Sequence, residues 1–585
     1  MKFFAVFTAV FIAVSLTVFS CSVDEVTGGG ELPDDLGYEY EDFEKPEPVT
    51  DSDGTGEPDE IFDDEEEPDE SIPSPQVEFD IPDPAYKSDP LAIIITNNDL
   101  HDIFREFAIF HTVTGIHTEV VTVEEICILH SCDDQDPRND TAKSVKDFIM
   151  QMEGLKYLVI GGDIEIVPSR KVYDKFSHVL AGTFEGDFYT DFYFSDFSNW
   201  DSNNNGIYAE DGDNVSYMPD IAVGRIPVKT VEQAQRYFEK VKKHMTRFET
   251  AHVKNTLLLA NIATEMSGVK VNAGYYFETE GRTSDIIPPD FHQRKIYTNS
   301  TFFPPGNAEK LNNAVQKEAM ESGMNLIVHN GHGYPNLLSC EQSDRSNDFT
   351  GEMAYNLKNT TYPIFLSCAC QAGQFEAPFE YTFEYGGQTY TRKFEEDAAG
   401  ERLVNAPEGG AIAYLGNTTT GLGLAGGSQL IDEMMRSMFF NPRSVLGDSL
   451  MFALTVLKKN DTFAPPIPFV PAVPVVDESS WKWTKKSVVL LGSPLITFWR
   501  DIFEPVYENI NVDTFEVEGG TGVELYLPAI FHGQKMTVAV SNGDVYTVEN
   551  LVEGLNLFHF EGEVDSLVFG ADIPGYQHFY QKWEK

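Results

Sequence analysis

The chain has 585 residues, too many for one hydrophobic core, and such a length favours about three or four folding units. Its formal net charge is −53, from 94 acidic and 41 basic residues. A surface that binds phosphates needs a basic patch, and no stretch of the sequence supplies one, which argues against nucleic acid as a partner. The same charge repels anionic membrane surfaces.

The first 21 residues predict an export signal. Lys2 precedes an apolar run, and the small residue Ser20 stands directly before Cys21. The run is too short for an ordinary spanning helix. A cysteine at the cleavage point resembles bacterial lipoprotein signals, in which that thiol takes the lipid anchor. We therefore expect a chain anchored to the membrane through Cys21, at the outer membrane or cell surface, or extracellular. Plain signal cleavage, with Cys21 as a bystander, is the alternative.

Residues 22–87 are rich in Asp, Glu, Pro and Gly and poor in aliphatic side chains. Such a segment cannot bury enough apolar surface to fold, so we expect a disordered, extended acidic tether.

The remaining cysteines are few and unevenly placed. In an oxidising compartment Cys127 and Cys132 can pair across "CILHSC". If Cys21 carries lipid, the odd number of thiols leaves at least one free or paired between chains. We expect that thiol in the stretch "LSCACQAG", which contains Cys368 and Cys370.

Short apolar runs alternate with helical stretches through the middle of the chain. They are "LAIIITN", "KYLVIGGD", "TLLLANIAT", "NLIVHNGHG", "YPIFLSC", "GAIAYLGNT" and "SVVLLGSP". Runs that are apolar on both faces predict an α/β fold with parallel sheets covered by helices. A long polar segment, "DSNNNGIYAEDGDN", separates the first two runs from the other five. We therefore predict two sheets, in subdomains at residues 88–250 and 251–504.

Local signals place two helix starts and a final β-domain. Thr230 with Gln233 predicts a capping box, and Asn307 is a candidate N-cap for "AEKLNNAVQKEAM". After about residue 499 the pattern changes to apolar and polar alternation, and Asn542-Gly543 predicts a hairpin. Residues 505–585 are thus expected to form a small β-sandwich.

Two strand ends carry residues suited to catalysis. One run ends in Gly331-His332-Gly333 and another in Ala369-Cys370-Gln371, 38 residues apart. That separation accommodates a crossover between parallel strands, so both can end at the carboxyl edge of one sheet, where active crevices lie. A thiol has a pKa of about 8.5 and needs a basic partner at neutral pH. Glycine at 333 leaves a backbone N–H for an oxyanion.

Each of the two candidate catalytic residues has a neighbour of the same type that could take its place. His329 lies within its strand and lacks flanking glycines, and Cys368 comes before the turn, so His332 and Cys370 are favoured. The plain alternative is a buried thiol beside an ordinary glycine turn.

The sequence resembles the gingipain-type cysteine peptidases, which have a caspase-like fold and a His-Gly, then Ala-Cys, signature. The matching segments are "VHNGHG", "LSCACQAGQFE", "EGGAIAYLGNTTTGL", "VLLGSPLITFW", "YLVIGGDIEIVPSR" and "MPDIAVGRIPVKTVEQA", within residues 88–504. The resemblance implies Cys370 as nucleophile and His332 as acid and base, with the N–H groups of Gly333 and Cys370 as oxyanion hole. It implies Glu265 as the carboxylate that orients the imidazole, and an immunoglobulin-like module at the C-terminus.

The resemblance also indicates a substrate pocket. Arginine specialists of the family carry a pocket aspartate shortly after the orienting glutamate. Here the nearest acid is Glu278, so arginine specificity is not implied. Thr418, Thr419 and Thr420 match a pocket wall that elsewhere carries tryptophan. The insertion "APFEYTFEYGGQTYTRKFEEDAAG" after Cys370 is expected to overhang the site as a lid.

A polar loop predicts a structural Ca²⁺ site. Asp201, Asn203 and Asn205, with the backbone carbonyl of Ile207, match the first half of a calcium loop. The twelfth position is Gly212 where a glutamate is expected, and Glu210, Asp211 or Asp213 can substitute; a plain Asn-rich turn is the alternative. The thiol chemistry itself needs no cofactor.

These features together predict an exported cysteine endopeptidase acting on protein or peptide substrates through a Cys370 acyl-enzyme. Two alternatives stay open. One is a surface binding protein or adhesin that keeps the fold without turnover. The other is a transpeptidase that resolves the same thioester with an amine.

Overall fold

A computed structural model describes residues 83–84, 90–178, 182–246, 249–266, 269–300, 307–339, 346–385, 388–457, 462–463, 473–474 and 476–585. The predicted signal segment with Cys21, most of the predicted tether and Cys340 lie outside these ranges. Within them, no helix is both long and apolar enough to cross a membrane.

The first half of the chain alternates strands and helices. Its elements are β1 Asp83–Pro84, β2 Ala92–Thr96, α1 His101–Val113, β3 Thr118–Thr122, α2 Val123–His130, α3 Thr141–Ile149, β4 Tyr157–Gly161, β5 Arg170–His178, β6 Gly182–Thr190, α4 Phe192–Ser195, β7 Ala222–Ile226 and α5 Val231–Thr246.

The second half follows the same pattern with more excursions from the sheet. Its elements are β8 Asn255–Ala260, β9 Ile262–Met266, β10 Val269–Asn272, α6 Gly274–Phe277, α7 Thr283–Ile286, β11 His292–Tyr297, β12 Glu309–Lys310, α8 Asn313–Glu321, β13 Leu326–Asn330, β14 His332–Tyr334, β15 Leu337–Ser339, β16 Phe349–Thr350, α9 Gly351–Tyr355, β17 Ile364–Ser367, β18 Phe379–Tyr385, β19 Gln388–Phe394, α10 Ala399–Asn405, β20 Ala413–Asn417, α11 Gly427–Phe440, β21 Arg443–Val445, α12 Leu446–Val456, β22 Thr462–Phe463, β23 Val473–Pro474, α13 Glu478–Ser487, β24 Val488–Leu491 and β25 Thr497–Trp499.

Strands alone make up the C-terminal part. They are β26 Asn511–Val517, β27 Gly520–Leu527, β28 Met536–Val540, β29 Val545–Val548, β30 Gly554–Glu561, β31 Ser566–Ala571 and β32 Phe579–Glu584.

One sheet of 11 strands runs through both halves, in the order β12-β11-β8-β13-β17-β20-β24-β7-β4-β2-β3. The prediction of two parallel sheets is corrected here. Strand β24 pairs antiparallel with β20 and parallel with β7, where the register gives the single pair Leu491 and Arg225. The sheet is therefore mixed, and its two halves run in opposite directions. Apolar runs predict burial on both faces, but they specify neither strand direction nor partner.

The strands that lead to the candidate site are fully buried. In β17, Ile364, Phe365 and Leu366 are each 0% exposed, and β13 is buried along its whole length. Truncating Leu366 to alanine would cost roughly 2–5 kcal/mol of folding free energy. This rigid core fixes the positions of the loops that follow both strands.

One predicted helix start is confirmed and one is wrong. Thr230 and Gln233 exchange both hydrogen bonds of a capping box at the start of α5. Helix α8 begins at Asn313, and Asn312 caps it by accepting from the Val315 N–H at 3.0 Å. Asn307 therefore lies well before the helix, because a second asparagine nearer the apolar face supplies the cap.

The C-terminal strands form two sheets that share one hydrophobic core. Strands β26, β27 and β30 form one sheet, and β29, β28, β31 and β32 belong to the other. The predicted hairpin at Asn542-Gly543 joins β28 to β29. Asp83 and Pro84, which the sequence assigns to the tether, pair with Thr547 and Tyr546 at the edge of the second of these sheets. The immunoglobulin-like character of this module stays a prediction.

Candidate active site

The turn after β17 presents Cys370. Cys370 is 2% exposed, and the next residue, Gln371, has a φ of 55°, in the left-handed region that side chains rarely adopt. Two backbone bonds support this conformation. Gln371 N–H donates to Thr419 O at 2.8 Å, and Ala372 N–H donates to Cys370 O at 2.7 Å. The chain is thus turned sharply at the predicted nucleophile and is tied to the segment after β20.

His332 and Gly333 meet this turn from the neighbouring strand. Strands β13 and β17 are adjacent and parallel, with His329 opposite Ser367. His332 opens β14 just beyond β13 and is 8% exposed. A Cβ at Gly333 would lie 2.8 Å from Cys370 O and 3.5 Å from Cys370 N. The predicted meeting of the two strand ends at one sheet edge is therefore confirmed, and only glycine fits at 333.

A third strand end packs beside them. Asn261 follows β8 and donates its N–H to Asn330 O at 2.9 Å. A Cβ at Gly331 would lie 2.6 Å from the Asn261 Cβ, so glycine is required before His332 as well. Four residues further on, Glu265 lies in β9 opposite Lys270 of β10. Its hairpin thus begins at the edge that carries His332, and the orienting role of Glu265 stays a prediction.

The thiol of Cys370 is not free in this structure, because Cys370 is in a disulfide. Cys127 and Cys132 form the disulfide expected across "CILHSC", and Cys368 is the free thiol among the described cysteines. Cys368 lies in the predicted stretch, but two residues before the favoured nucleophile. A disulfide sulfur cannot attack a peptide bond, so catalysis by Cys370 requires reduction first.

The family of the chain follows from its sequence. The sequence model of peptidase family C25 matches residues 85–499. The chain belongs to peptidase family C25, the gingipain family. An uncharacterised protein of Archaeoglobus fulgidus is 22% identical over 397 residues, which cover 63% of this chain and 88% of that protein.

Two solved structures show that this C25 chain has the gingipain fold. The Arg-specific cysteine proteinase gingipain R (RgpB) superposes with a TM-score of 0.51 at 14% identity, over 85% of this chain and 98% of that one. A complex of the pro- and mature domains of RgpB from Porphyromonas gingivalis gives 0.50 at 14% identity, over 84% and 99%. At such identities the likeness concerns the fold alone.

The two neighbouring candidates in the C25 chain, His329 and Cys368, are buried. The His329 ring lies 2.9 Å from Ser367 Oγ and 3.1 Å from Asn261 Nδ2, and it is 1% exposed. Burial, and then the charge of His332, lowers the pKa of His329 to about 3. Burial likewise raises the pKa of the Cys368 thiol to about 11. Both groups are therefore neutral at physiological pH, and the choice of His332 and Cys370 stays a prediction.

Two of the residues predicted for the substrate pocket, Glu278 and Thr418, bond to other residues of the protein. Glu278 accepts from Tyr297 Oη at 2.6 Å and pairs with Lys295 Nζ at 2.8 Å. Thr418 is buried, and its hydroxyl donates to Tyr189 O at 2.8 Å. These bonds give Glu278 a cationic partner and direct the Thr418 side chain into the core. The pocket assignment stays a prediction for both residues and for Thr419 and Thr420.

A tryptophan lies beside this wall although the wall itself carries none. Trp483 of α13 donates its indole N–H to Thr420 O at 2.7 Å and is 2% exposed. The predicted lid forms the hairpin β18-β19, at whose base the rings of Phe379 and Phe394 stack with centroids 4.9 Å apart. Its closure over the site stays a prediction.

The loop predicted to bind calcium is a compact set of turns. Asp201 accepts from the N–H groups of Asn205 and Gly206, each at 2.9 Å, and Asn205 Oδ1 accepts from Ile207 N–H at 2.7 Å. Glu210 accepts from the Asn205 amide at 2.6 Å, and Asn203 Oδ1 accepts from Asn205 N–H at 3.0 Å. These oxygens accept N–H groups within the loop, and metal binding there stays a prediction.

A cluster of three acidic side chains that could hold a metal ion lies in another part of the described chain. One oxygen each of Asp163, Asp397 and Glu401 can lie within 4.8 Å of one another. Lys229 Nζ is 3.1 Å from Asp163 and 2.7 Å from Asp397, so a side-chain cation already pairs with two of the three carboxylates.

Sequence reasoning missed one residue of the site. Asn417 is the last residue of β20 and donates from its side-chain amide to Ala369 O at 3.0 Å. The sequence feature that could have indicated Asn417 is its position, because it is a polar residue at the carboxyl end of the next apolar run. That position alone does not reveal which loop the side chain reaches.

Proposed function

We propose that this C25 chain is an exported, lipid-anchored cysteine endopeptidase whose nucleophile is Cys370. The observation that carries the proposal is the contact between the backbones of Gly333 and Cys370. This approach supports a site in which the imidazole of His332, the sulfur of Cys370 and two backbone amides act together at one sheet edge.

The proposed reaction starts from the reduced thiol. His332 takes the Cys370 proton, and the thiolate attacks the carbonyl carbon of the scissile peptide bond. The oxyanion binds to the N–H groups of Gly333 and Cys370. The tetrahedral intermediate then collapses as His332 protonates the leaving amine, and a thioester to Cys370 remains. Water, deprotonated by His332, hydrolyses this acyl-enzyme.

Glu265 is proposed to accept from the imidazole and to stabilise its protonated form. The substrate is proposed to be a protein or peptide, since peptidase families act on such chains. We infer no arginine preference, because Glu278 is already paired with Lys295. Lipidation of Cys21 would place the enzyme at the cell surface.

The test is covalent labelling of the reduced, full-length mature chain with peptide acyloxymethylketones, read by intact mass. We expect one adduct at Cys370, loss of labelling in Cys370→Ala and strong slowing in His332→Ala. The matched controls are Cys368→Ala and His329→Asn, which alter a thiol two residues before Cys370 and an imidazole three residues before His332. Both should label at the rate of the unaltered chain.

Two results would lead to other functions. If Cys370 labels no faster than a small free thiol and does not depend on His332, the binding-protein alternative replaces the peptidase. If the acyl-enzyme forms but added amines give joined products in place of hydrolysis, the enzyme is a transpeptidase.

A further inference from the structure

We propose that Asn417 is a positioning residue of the oxyanion hole, which orients the Cys370 N–H through the Ala369 carbonyl. This inference rests on the proposed peptidase function. It adds a residue whose side chain acts on the reaction through the peptide bond before the nucleophile.

The Asn417 side chain is fixed at both ends. It is 4% exposed, its Nδ2 donates to Ala369 O at 3.0 Å, and its Oδ1 accepts from Ser487 Oγ at 3.1 Å. The reverse orientation of the amide would put Oδ1 against the Ala369 carbonyl, and two acceptors cannot bond to each other. The carbonyl therefore determines which end of the amide faces the nucleophile turn.

Fixing the Ala369 carbonyl also fixes the Cys370 N–H. The peptide bond is planar and trans, so its C=O and N–H point in opposite directions. With the carbonyl held on the β20 side, the N–H is directed away from Asn417. A Cβ at Gly333 would lie 3.5 Å from that nitrogen, so Gly333 flanks the same peptide. The two predicted oxyanion donors are thus neighbours.

The backbone of Asn417 also holds the part of the nucleophile turn that follows Cys370. Gly373 N–H donates to Asn417 O at 3.0 Å. The space around the side chain is also tight, since a Cβ at Gly421 would lie 2.6 Å from Asn417 Nδ2 and 2.3 Å from Cys368 O. Asn417 therefore holds the nucleophile turn on both sides of Cys370 and has little freedom to move.

This role predicts a specific kinetic signature. The oxyanion forms only after attack, so its donors act on the transition state and contribute little to substrate binding. Removing one oxyanion donor costs about 10²–10³ in kcat. Loss of the group that orients such a donor should cost less, about 10- to 100-fold in kcat, with KM nearly unchanged.

The experiment compares Asn417→Ala with Asn359→Ala in the reduced enzyme. Asn359 is a matched control because it is 2% exposed and donates from its amide to Gly410 O at 2.7 Å, away from the nucleophile turn. Three quantities are measured: peptide hydrolysis, the affinity for a peptide aldehyde and the rate of alkylation by iodoacetamide. The aldehyde forms a hemithioacetal that uses the oxyanion hole, whereas alkylation uses only the thiolate.

In Asn417→Ala we expect the hydrolysis rate and the aldehyde affinity to fall by the same factor. The alkylation rate, and the dependence of that rate on pH, should stay unchanged. Asn359→Ala should change only thermal stability. If Asn417→Ala does not fold, Ser487→Ala takes its place, because it removes only the hydrogen bond to Asn417 Oδ1. We then expect smaller losses of hydrolysis and aldehyde affinity, again with an unchanged alkylation rate.

Three results would overturn the inference. The first is an aldehyde affinity of Asn417→Ala that is no lower than that of Asn359→Ala. The second is an alkylation rate that falls as much as hydrolysis does, which would place the defect in the thiol. In both cases Cys370 remains the nucleophile and the proposed function stands. If the unaltered enzyme forms no adduct at Cys370, the proposed function and this inference both fail.

Discussion

The backbones of Gly333 and Cys370 approach so closely that a methyl group on Gly333 would lie 2.8 Å from the Cys370 carbonyl oxygen. The same methyl group would lie 2.8 Å from the Ala369 Cβ. Neither neighbour is the end of a flexible side chain, so the loops after β13 and β17 fit together only with glycine at this position.

Gly333→Ala should therefore abolish the proposed peptidase activity while the fold remains. The added methyl group forces the two loops apart and displaces both predicted oxyanion donors, so we expect kcat/KM to fall by at least about 100-fold. Peptide hydrolysis and circular dichroism measure the two properties. Full activity in Gly333→Ala would contradict the close approach.

Activity should depend on a thiol reductant. Cys370 is in a disulfide, and a low-molecular-weight thiol would reduce it by two exchange steps, which release both cysteine thiols and leave the oxidised reagent. We expect acyloxymethylketone labelling of Cys370 only after such treatment. With Cys21 proposed to carry lipid, Cys340→Ser tests the remaining cysteine as the partner, since loss of that partner should remove the requirement.

The second disulfide serves as the control for this dependence. A variant with both Cys127 and Cys132 changed to serine loses the described disulfide of α2 but should keep the reductant requirement. Rapid labelling of the untreated, unaltered chain would show that Cys370 is a free thiol in solution.

Glu265→Gln tests the third member of the proposed catalytic group. A neutral amide can still accept a hydrogen bond but cannot stabilise a protonated imidazole, so kcat should fall on the order of 10²-fold or more, with little change in KM. Glu309→Gln is a suitable comparison, because Glu309 of β12 pairs with Arg294 on β11 and has no predicted role in the site. Equal activity of Glu265→Gln and the unaltered enzyme would remove Glu265 from the mechanism.

Acid should destabilise the fold through buried histidines, and His111 isolates the effect. Its ring is 0% exposed, packs on Phe107 and Phe110, and has no hydrogen-bond partner among the described residues. Burial, with the charge of His578 as a second cause, lowers the pKa of His111 to about 3. The unfolded histidine takes up a proton below about pH 6.5, so stability is present above that pH and is lost as the pH falls toward 3.

Urea unfolding at pH 7 and pH 5 measures this contribution. From pH 7 to pH 5 the free energy of unfolding of the unaltered chain should fall by roughly 2 kcal/mol more than that of His111→Phe, because the phenylalanine ring cannot be protonated. Equal losses in the two proteins would show that His111 is not protonated on unfolding in this range.

Calcium should stabilise the loop that begins at Asp201. Millimolar Ca²⁺ is expected to raise the melting temperature of the unaltered chain and to leave that of Asp201→Ala unchanged, because the carboxylate is the first ligand of the loop. Mg²⁺ at the same concentration is the ionic-strength control. An equal shift in Asp201→Ala would place any calcium site elsewhere.

The sequence alone determined where the buried strands lie and predicted the chemistry. All seven apolar runs contain strands, because a strand buried on both faces needs continuous aliphatic residues. Gly331-His332-Gly333 and Cys370 were identified because glycine pairs and cysteines at strand ends are distinctive. The Cys127 and Cys132 disulfide followed from spacing in the same way.

Tertiary structure alone decided how these parts meet. Strand β24 joins two expected sheets into one, since pairing depends on the path of the connections and not on the apolar pattern. The disulfide of Cys370, and the Asn417 amide that reaches Ala369, depend on contacts between residues far apart in sequence. Hydrogen bonds and disulfides need distances of a few ångströms, and composition and spacing along the chain do not specify such distances between loops.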